Sequence, residues 1–75
     1  MPLAYKTTKQ ILIDYGFVLD RQSGSHQIWK RWQAQVVIPF KKEYALGTGR
    51  SILKRIASLS QTDLSQLVQS YNIKF

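Results

Sequence analysis

The residues best suited to chemistry lie between Arg21 and Lys30, a basic segment that contains the only histidine of the chain. His26 follows a predicted turn at Ser23-Gly24 and is flanked by cations that can bind phosphate. An imidazole gives and takes protons near neutral pH. RNA is cut without a metal when a base removes the proton of its own 2′-hydroxyl and positive groups stabilise the charge that develops on the phosphate. The segment therefore indicates acid–base chemistry on an RNA phosphodiester, and DNA, which lacks that hydroxyl, should resist.

A structural or idle role for His26 stays open at this point, because one histidine in 75 residues is about what average composition supplies. The surrounding charge favours function. The net charge of +7 comes entirely from residues 21–55, where eight lysines and arginines face Glu43 alone. A sequence pI near 10.1 favours a polyanionic partner, since cations that neutralise phosphates release condensed counterions. The basic residues are spread over a hairpin, a loop and a helix, so nucleic acid is favoured over an anionic membrane.

Other kinds of site fit the sequence poorly. The absence of cysteine excludes disulfides, thiolate metal sites and thiol nucleophiles, and the four carboxylates are scattered singly, which disfavours a two-metal nuclease. The segment Gly47-Thr48-Gly49-Arg50-Ser51 lacks the spacer and the lysine of a P-loop, so a helix cap explains it better, although a helix N-terminus can hold a phosphate. The aromatic residues Trp29, Trp32 and Phe40 either stack on unpaired bases or fill the core.

Hydrophobic periodicity and turn residues predict the order helix, three strands and two helices. A capping-box sequence at residues 7–10 and Gly16 delimit the first helix. The predicted elements are a helix over residues 8–15, strands over 17–21, 25–31 and 35–40, a basic loop over 41–47, a helix capped by Thr48 that carries Ile52, Leu53 and Ile56, and a short helix that follows the cap-like segment Ser60-Gln61-Thr62-Asp63 and carries Leu64, Leu67, Val68 and Tyr71.

The strand at residues 25–31 alternates between two faces, as a sheet strand requires, and either face can be the buried one. One face carries His26, Ile28 and Lys30, and the other carries Gln27, Trp29 and Arg31. A chain of this length makes one domain over residues 1–75, with helices packed on one face of the sheet and no room for a separate cofactor domain. Without a signal-peptide pattern or a long apolar run, we expect a soluble, cytoplasmic protein and no membrane partner.

Four blocks of sequence, in this order between Thr8 and Ser60, resemble the HicA family of mRNA interferase toxins. The blocks are Gly16-Phe17, Arg21-Gln22-Ser23-Gly24-Ser25-His26, Val37-Ile38-Pro39-Phe40 and Leu46-Gly47-Thr48-Gly49-Arg50-Ser51-Ile52-Leu53-Lys54. Gly-Ser-His followed by an apolar strand residue is the family's signature. The resemblance implies an α+β fold similar to the double-stranded-RNA-binding domain, with helices on a three-stranded antiparallel sheet.

The resemblance also implies a function. His26 would be the catalytic residue of a metal-independent endoribonuclease that cleaves mRNA, with no cofactor, and the partner would be a HicB-type antitoxin that masks His26. The family often carries a second histidine shortly after the proline of the third strand, where this chain has Lys41. A lysine there can hold a phosphate but is a poorer proton shuttle at neutral pH, so the general acid is unassigned.

The sequence therefore supports two main hypotheses and a weaker third, a partner-binding protein with no RNA role, which a steep salt dependence of RNA affinity would count against. In the first, His26 is the general base or acid of a ribonuclease, and a set of polar and basic residues binds the RNA: Arg21, Ser25, Lys30, Lys41, Lys42 and Arg50. In the second, the same fold is a non-catalytic RNA-binding module in which His26 is one more polar contact. Replacement of His26 by alanine separates them, because only the first hypothesis has a cleavage activity to lose.

Overall fold

The structure is a computed structural model that describes residues 2–74. The elements within these residues are β1 (Leu3–Ala4), α1 (Tyr5–Asp14), β2 (Val18–Ser23), β3 (His26–Arg31), β4 (Ala34–Pro39), β5 (Glu43–Tyr44), α2 (Leu46–Leu59) and α3 (Leu64–Ser70). The predicted α+β class, with a helix, a three-stranded antiparallel sheet and further helices, is confirmed. Two short strands, β1 and β5, were not predicted.

Helix α1 begins three residues earlier than the sequence predicts. Its N-cap, Ala4, offers no side chain to the first turn, so the predicted capping box at residues 7–10 is wrong. Thr8 instead lies fully buried inside the helix, and its hydroxyl donates to the Ala4 carbonyl at 3.1 Å. The helix ends as predicted at Gly16, whose φ of +87° is a left-handed conformation that glycine adopts without steric cost.

Strands β2, β3 and β4 form an antiparallel sheet in that order. The β2–β3 turn holds Gly24 at φ +60°, another left-handed position that suits glycine. The pairing of β2 with β3 shifts by one residue between Leu19 and Arg21, which marks a β-bulge. His26 begins β3 and lies opposite Ser23 on one side and Pro39 on the other. The three predicted strands are all present, with ends displaced by one or two residues.

A second ladder pairs β1 with β5, with Leu3 opposite Tyr44. Two-residue strands carry no periodicity, so no sequence pattern marks them. The ladder brings the chain directly to the start of α2, where Ala45 is the N-cap. Thr48 therefore lies inside α2, and its predicted role as the cap is wrong.

Helix α2 packs on β4 of the three-stranded sheet, and α3 packs on α2. Within the cap-like segment at residues 60–63, the capping residue of α3 is Asp63, because its carboxylate accepts a hydrogen bond from the Gln66 backbone N–H at 2.8 Å. The main core cluster consists of Leu3, Ile11, Leu12, Phe17, Trp29, Val36, Ile38, Tyr44, Ile52, Leu53, Ile56, Ala57 and Leu67. Among residues 2–74, no helix has the length and apolar character that crossing a membrane requires.

Candidate functional site

Strand β3 has alternate residues in opposite environments. Trp29 is 3% exposed and belongs to the core cluster, and Gln27 beside it is also buried. We call this side of β3 the covered face and the other side the free face: the covered face carries Gln27, Trp29 and Arg31, and the free face carries His26, Ile28 and Lys30. Because strand side chains alternate, His26 points away from the helices. Ile28 is buried too but lies outside the core cluster.

His26 is exposed at one end of the free face. The tight turn at Gly24 reverses the chain just before it, and the pairing with Ser23 and Pro39 fixes its backbone on both sides. The Phe40 N–H donates to the Ser25 carbonyl at 2.6 Å, which ties the end of β4 to the turn. The imidazole therefore projects into solvent from a backbone that is held by both neighbouring strands.

A buried polar network supports this end of the sheet from the covered face. The Gln27 Oε1 accepts from the Tyr5 hydroxyl at 2.9 Å and from the Trp29 Nε1 at 3.1 Å. Its Nε2 donates to the Gln22 Oε1 at 3.2 Å. A buried amide is costly unless its groups are paired, so these bonds hold Gln27, and with it the adjacent His26, in one arrangement.

The basic loop after β4 lies at the same end of the molecule as His26. The Tyr5 N–H donates to the Lys42 carbonyl at 2.9 Å, and the Phe40 ring packs edge-on against the Tyr5 ring, with centroids 5.3 Å apart. The side chains of Lys41 and Lys42 are exposed. Lys41 and Lys42 thus follow closely after the end of β4 that pairs with His26.

Two further cations lie on the free face but at a distance from the imidazole. Lys30 is four residues along β3 from His26, which is about 13 Å in a strand. Arg21 lies opposite Ile28. Asp20 serves both: its Oδ2 is 2.6 Å from the Arg21 Nη1 and 3.9 Å from the Lys30 Nζ. All three side chains are more than a third exposed, so these ion pairs are weak and leave the face open to an anionic ligand.

A family model described as HicA toxin of bacterial toxin-antitoxin matches residues 5–57 of the 75. The chain belongs to the HicA toxin family. The match runs from the start of α1 nearly to the end of α2 and includes the whole three-stranded sheet and His26. The protein is therefore the toxin of a toxin-antitoxin pair, with an antitoxin as its partner. No curated protein and no solved structure matches the chain.

The other predicted RNA-binding residues of this HicA-family toxin lie in two places. Ser25 is exposed in the turn that precedes His26. Arg50 is exposed on α2, in the helical layer on the opposite side of the sheet, so the structure does not bring it onto the free face. Arg50 lies near the start of α2, which follows the Lys41-Lys42 loop by only a few residues. Its proposed contact with RNA would be at the edge of the site.

The three aromatic residues considered for base stacking differ in exposure. Trp29 is in the core and has no face for a base, so stacking on it is excluded. Phe40 is 51% exposed but packs its ring against Tyr5. Trp32, in the turn between β3 and β4, is 93% exposed. Only the structure separates these three, because the sequence places all of them in or beside strands.

Arg31, which was not predicted to have a role, joins the ends of two helices. Its Nη1 donates to the Tyr15 carbonyl at 2.7 Å and its Nη2 to the Leu59 carbonyl at 2.6 Å. The guanidinium also lies 4.6 Å from the centroid of the Phe17 ring. The sequence did contain a signal for this structural role, because the period-two pattern put Arg31 on the same face as Trp29 and hence among the helices. Arg31 therefore serves the fold by joining the helix ends to the sheet.

The described residues contain no grouping of three or more histidine, cysteine or carboxylate side chains that could hold a metal ion. The segments that adjoin His26 in the sheet are instead the Gly24-Ser25 turn and the end of β4, from which the cationic loop follows.

Proposed function

We propose that this HicA-family toxin is a metal-independent endoribonuclease that cleaves mRNA, with His26 as the general base and acid. The observation that carries the proposal is the position of His26: exposed, on the free face, at the strand end adjoining the Lys41-Lys42 loop. A histidine enclosed by the helices would have argued against catalysis, because no phosphodiester could reach it.

The chemistry needs one proton removed and one supplied. His26 takes the proton from the 2′-hydroxyl, whose oxygen attacks the adjacent phosphorus, and the bond to the 5′-oxygen of the next nucleotide breaks. The products are a 2′,3′-cyclic phosphate and a 5′-hydroxyl end. Nearby cations stabilise the extra negative charge of the pentavalent transition state. This role falls to Lys41 and Lys42, the exposed cations of the loop that adjoins His26.

Lys41 occupies the place where the family often has a second histidine, so the proton donor differs here. The chain has one imidazole, and imidazole is the side chain that exchanges protons readily near neutral pH. Both proton transfers therefore pass through His26 or through water. A single histidine that acts first as base and then as acid would give a slower enzyme than a pair with separate roles.

The RNA backbone would lie along the free face. Lys30 and Arg21 would hold phosphates beyond the cleaved bond, the exposed Ser25 hydroxyl would contact the phosphate nearest His26, and Lys42 and Arg50 would bind the strand as it leaves around the basic loop. The antitoxin, of the HicB type, would neutralise the toxin by covering His26. The site of action would be the cytoplasm, where mRNA is translated.

The direct test is incubation of the purified toxin with a long single-stranded RNA in excess chelator. We expect fragments ending in a 2′,3′-cyclic phosphate. The matched substrate carries one deoxynucleotide at a mapped cleavage site: cleavage there should stop while cleavage elsewhere continues, because only the local 2′-hydroxyl is the nucleophile. Continued cleavage at the deoxy position would contradict the proposal.

A second candidate function is a non-catalytic RNA-binding module on the same fold. The observation that favours it is Lys41, a cation where a proton-exchanging histidine is common in the family. The module would bind RNA with an affinity that falls steeply with salt and would leave the RNA intact. The same chelator experiment, with binding measured alongside cleavage, distinguishes the two functions.

A further inference from the structure

The tip of the β3–β4 hairpin carries a residue that the fold does not use. Trp32 is 93% exposed, more than any other large hydrophobic residue within residues 2–74. Its backbone has a φ of +54°, a left-handed conformation that glycine or asparagine adopts more readily. An exposed indole and a strained backbone are both unfavourable for folding. Their coincidence at one residue points to a role in binding.

The surroundings of Trp32 indicate the chemistry of the ligand. The tip borders a shallow groove of about 630 Å³ whose walls include Tyr15, Gln33 and Gln61. Within the described part of the chain, no carboxylate lines this groove. The Arg31 guanidinium at its base is already bonded to helix carbonyls. The groove therefore offers aromatic surface and amide groups rather than free cations, which suits the face and the edge of a base better than a phosphate.

The charge of the hairpin favours RNA over a basic protein partner. Residues 21–42 contain five lysines and arginines and no aspartate or glutamate. Trp32 follows directly after the strand that begins with His26, which puts it about 20 Å from the proposed active site. The groove lies on the covered side of the sheet, among the ends of α1 and α2, so a single strand that lies on the free face over Lys30 reaches it by passing around the tip.

We propose that Trp32 is a base-stacking residue. An unpaired base of the bound RNA stacks on the indole, and the amides of Gln33 and Gln61 hydrogen-bond to its edge. The inference rests on the proposed function, because the ligand is the same RNA, but Trp32 contributes to binding and takes no part in bond cleavage. It also specifies the substrate: an RNA that is unpaired at the tip as well as at His26.

Intrinsic fluorescence tests the contact directly. The chain has two tryptophans, of which Trp29 is buried and Trp32 is exposed. A stacked base should quench the emission of Trp32, so single-stranded RNA should reduce the fluorescence of the parent and of His26→Ala. It should leave the fluorescence of Trp32→Phe, which retains only Trp29, nearly unchanged. Equal quenching of the parent and Trp32→Phe would overturn the inference.

Binding measured as a function of salt separates stacking from phosphate contacts. Trp32→Ala should weaken single-stranded RNA binding about tenfold, with the slope of affinity against salt unchanged, because no phosphate contact is lost. Lys30→Ala should reduce that slope by about 0.7. The matched control is Ile13→Ala, which removes an exposed apolar side chain elsewhere on the surface, on α1. This variant should bind RNA like the parent.

Trp32→Gly distinguishes a binding residue from a structural one. It should raise the melting temperature, because glycine relieves the left-handed strain, and lower RNA affinity as Trp32→Ala does. A lower melting temperature would make Trp32 structural and overturn the inference. The inference would also be overturned if both variants kept their RNA affinity but bound the antitoxin more weakly. That result would assign the tip to the protein partner and leave the proposed RNA cleavage by the parent unaffected. Failure of the parent to bind RNA would overturn both proposals.

Discussion

The two faces of strand β3 show how six consecutive residues serve the fold and the function separately. On the covered face, Trp29 is enclosed by the core and Gln27 is bonded to three other side chains. On the free face, His26 is open to solvent at the cationic end of the sheet. Because the period of a strand is two, the residues that hold the sheet together directly neighbour those available to a ligand. Changes on one face should alter stability, and changes on the other should alter activity.

The largest effect on stability should come from Trp29→Ala. Removal of a fully packed aromatic side chain costs about 3–5 kcal/mol, a large part of the 5–15 kcal/mol that holds typical domains folded. We expect the variant to be mostly unfolded at 37 °C, as measured by circular dichroism on heating. Lys30→Ala, the neighbour on the free face, should stay within about 0.5 kcal/mol of the parent in denaturant titration. Similar losses for the two would break the distinction between the faces.

Gln27→Met should have a smaller but clear effect. Methionine has nearly the same shape but cannot pair with the Tyr5 hydroxyl or the Trp29 indole N–H, so we expect a loss of about 1–3 kcal/mol in urea titration. The variant also tests whether the network positions His26. If it does, cleavage measured well below the melting temperature should fall while RNA affinity is kept. A variant as stable as the parent would show that the network adds nothing to the covered face.

The smallest effect should come from a contact that lies on neither face. The Tyr71 hydroxyl donates to the Asp14 Oδ2 at 2.7 Å and ties the end of α3 to α1. That bond, aided by one from Gln10, lowers the pKa of Asp14 from 3.8. Burial, with the bond to Asp14 second, raises the pKa of Tyr71 from 10.0 to about 12.

The sign of each shift predicts the pH dependence of Tyr71→Phe. A lowered carboxyl pKa stabilises the fold above the ordinary value of 3.8, and that stability is lost as the pH falls through the lower folded value. A raised tyrosine pKa stabilises the fold below 10.0 and is lost as the pH rises toward about 12. Tyr71→Phe should therefore melt a few degrees lower than the parent at neutral pH, and the difference should shrink at both extremes. A constant difference in melting temperature across that range would contradict the assignment.

Local patterns in the sequence predict much of this fold. The alternation of residues 25–31 is enough to define both faces of β3, and the Asp63 cap depends on a residue only three positions away. The same holds for the left-handed glycine that ends α1. Each of these features depends on residues that are neighbours along the chain.

Features that depend on distant residues could not be predicted. The start of α2 at Leu46 is set by β5, which pairs with the distant strand β1. The prediction that Thr48 caps this helix was therefore wrong. The Gln27–Tyr5 bond joins residues 22 positions apart, and it is this kind of contact that decides which face of β3 is covered. For the site, the sequence could name His26 and its cations but not their arrangement.

The central claim is that His26 acts in catalysis from an exposed position that the fold does not need, and His26→Ala measured two ways tests it most directly. In excess chelator the variant should cleave single-stranded RNA about 10²–10⁴-fold more slowly than the parent. Its free energy of unfolding should lie within about 0.5 kcal/mol of the parent's, and its RNA affinity should be largely kept. Cleavage at the parent's rate by a folded His26→Ala would contradict the account.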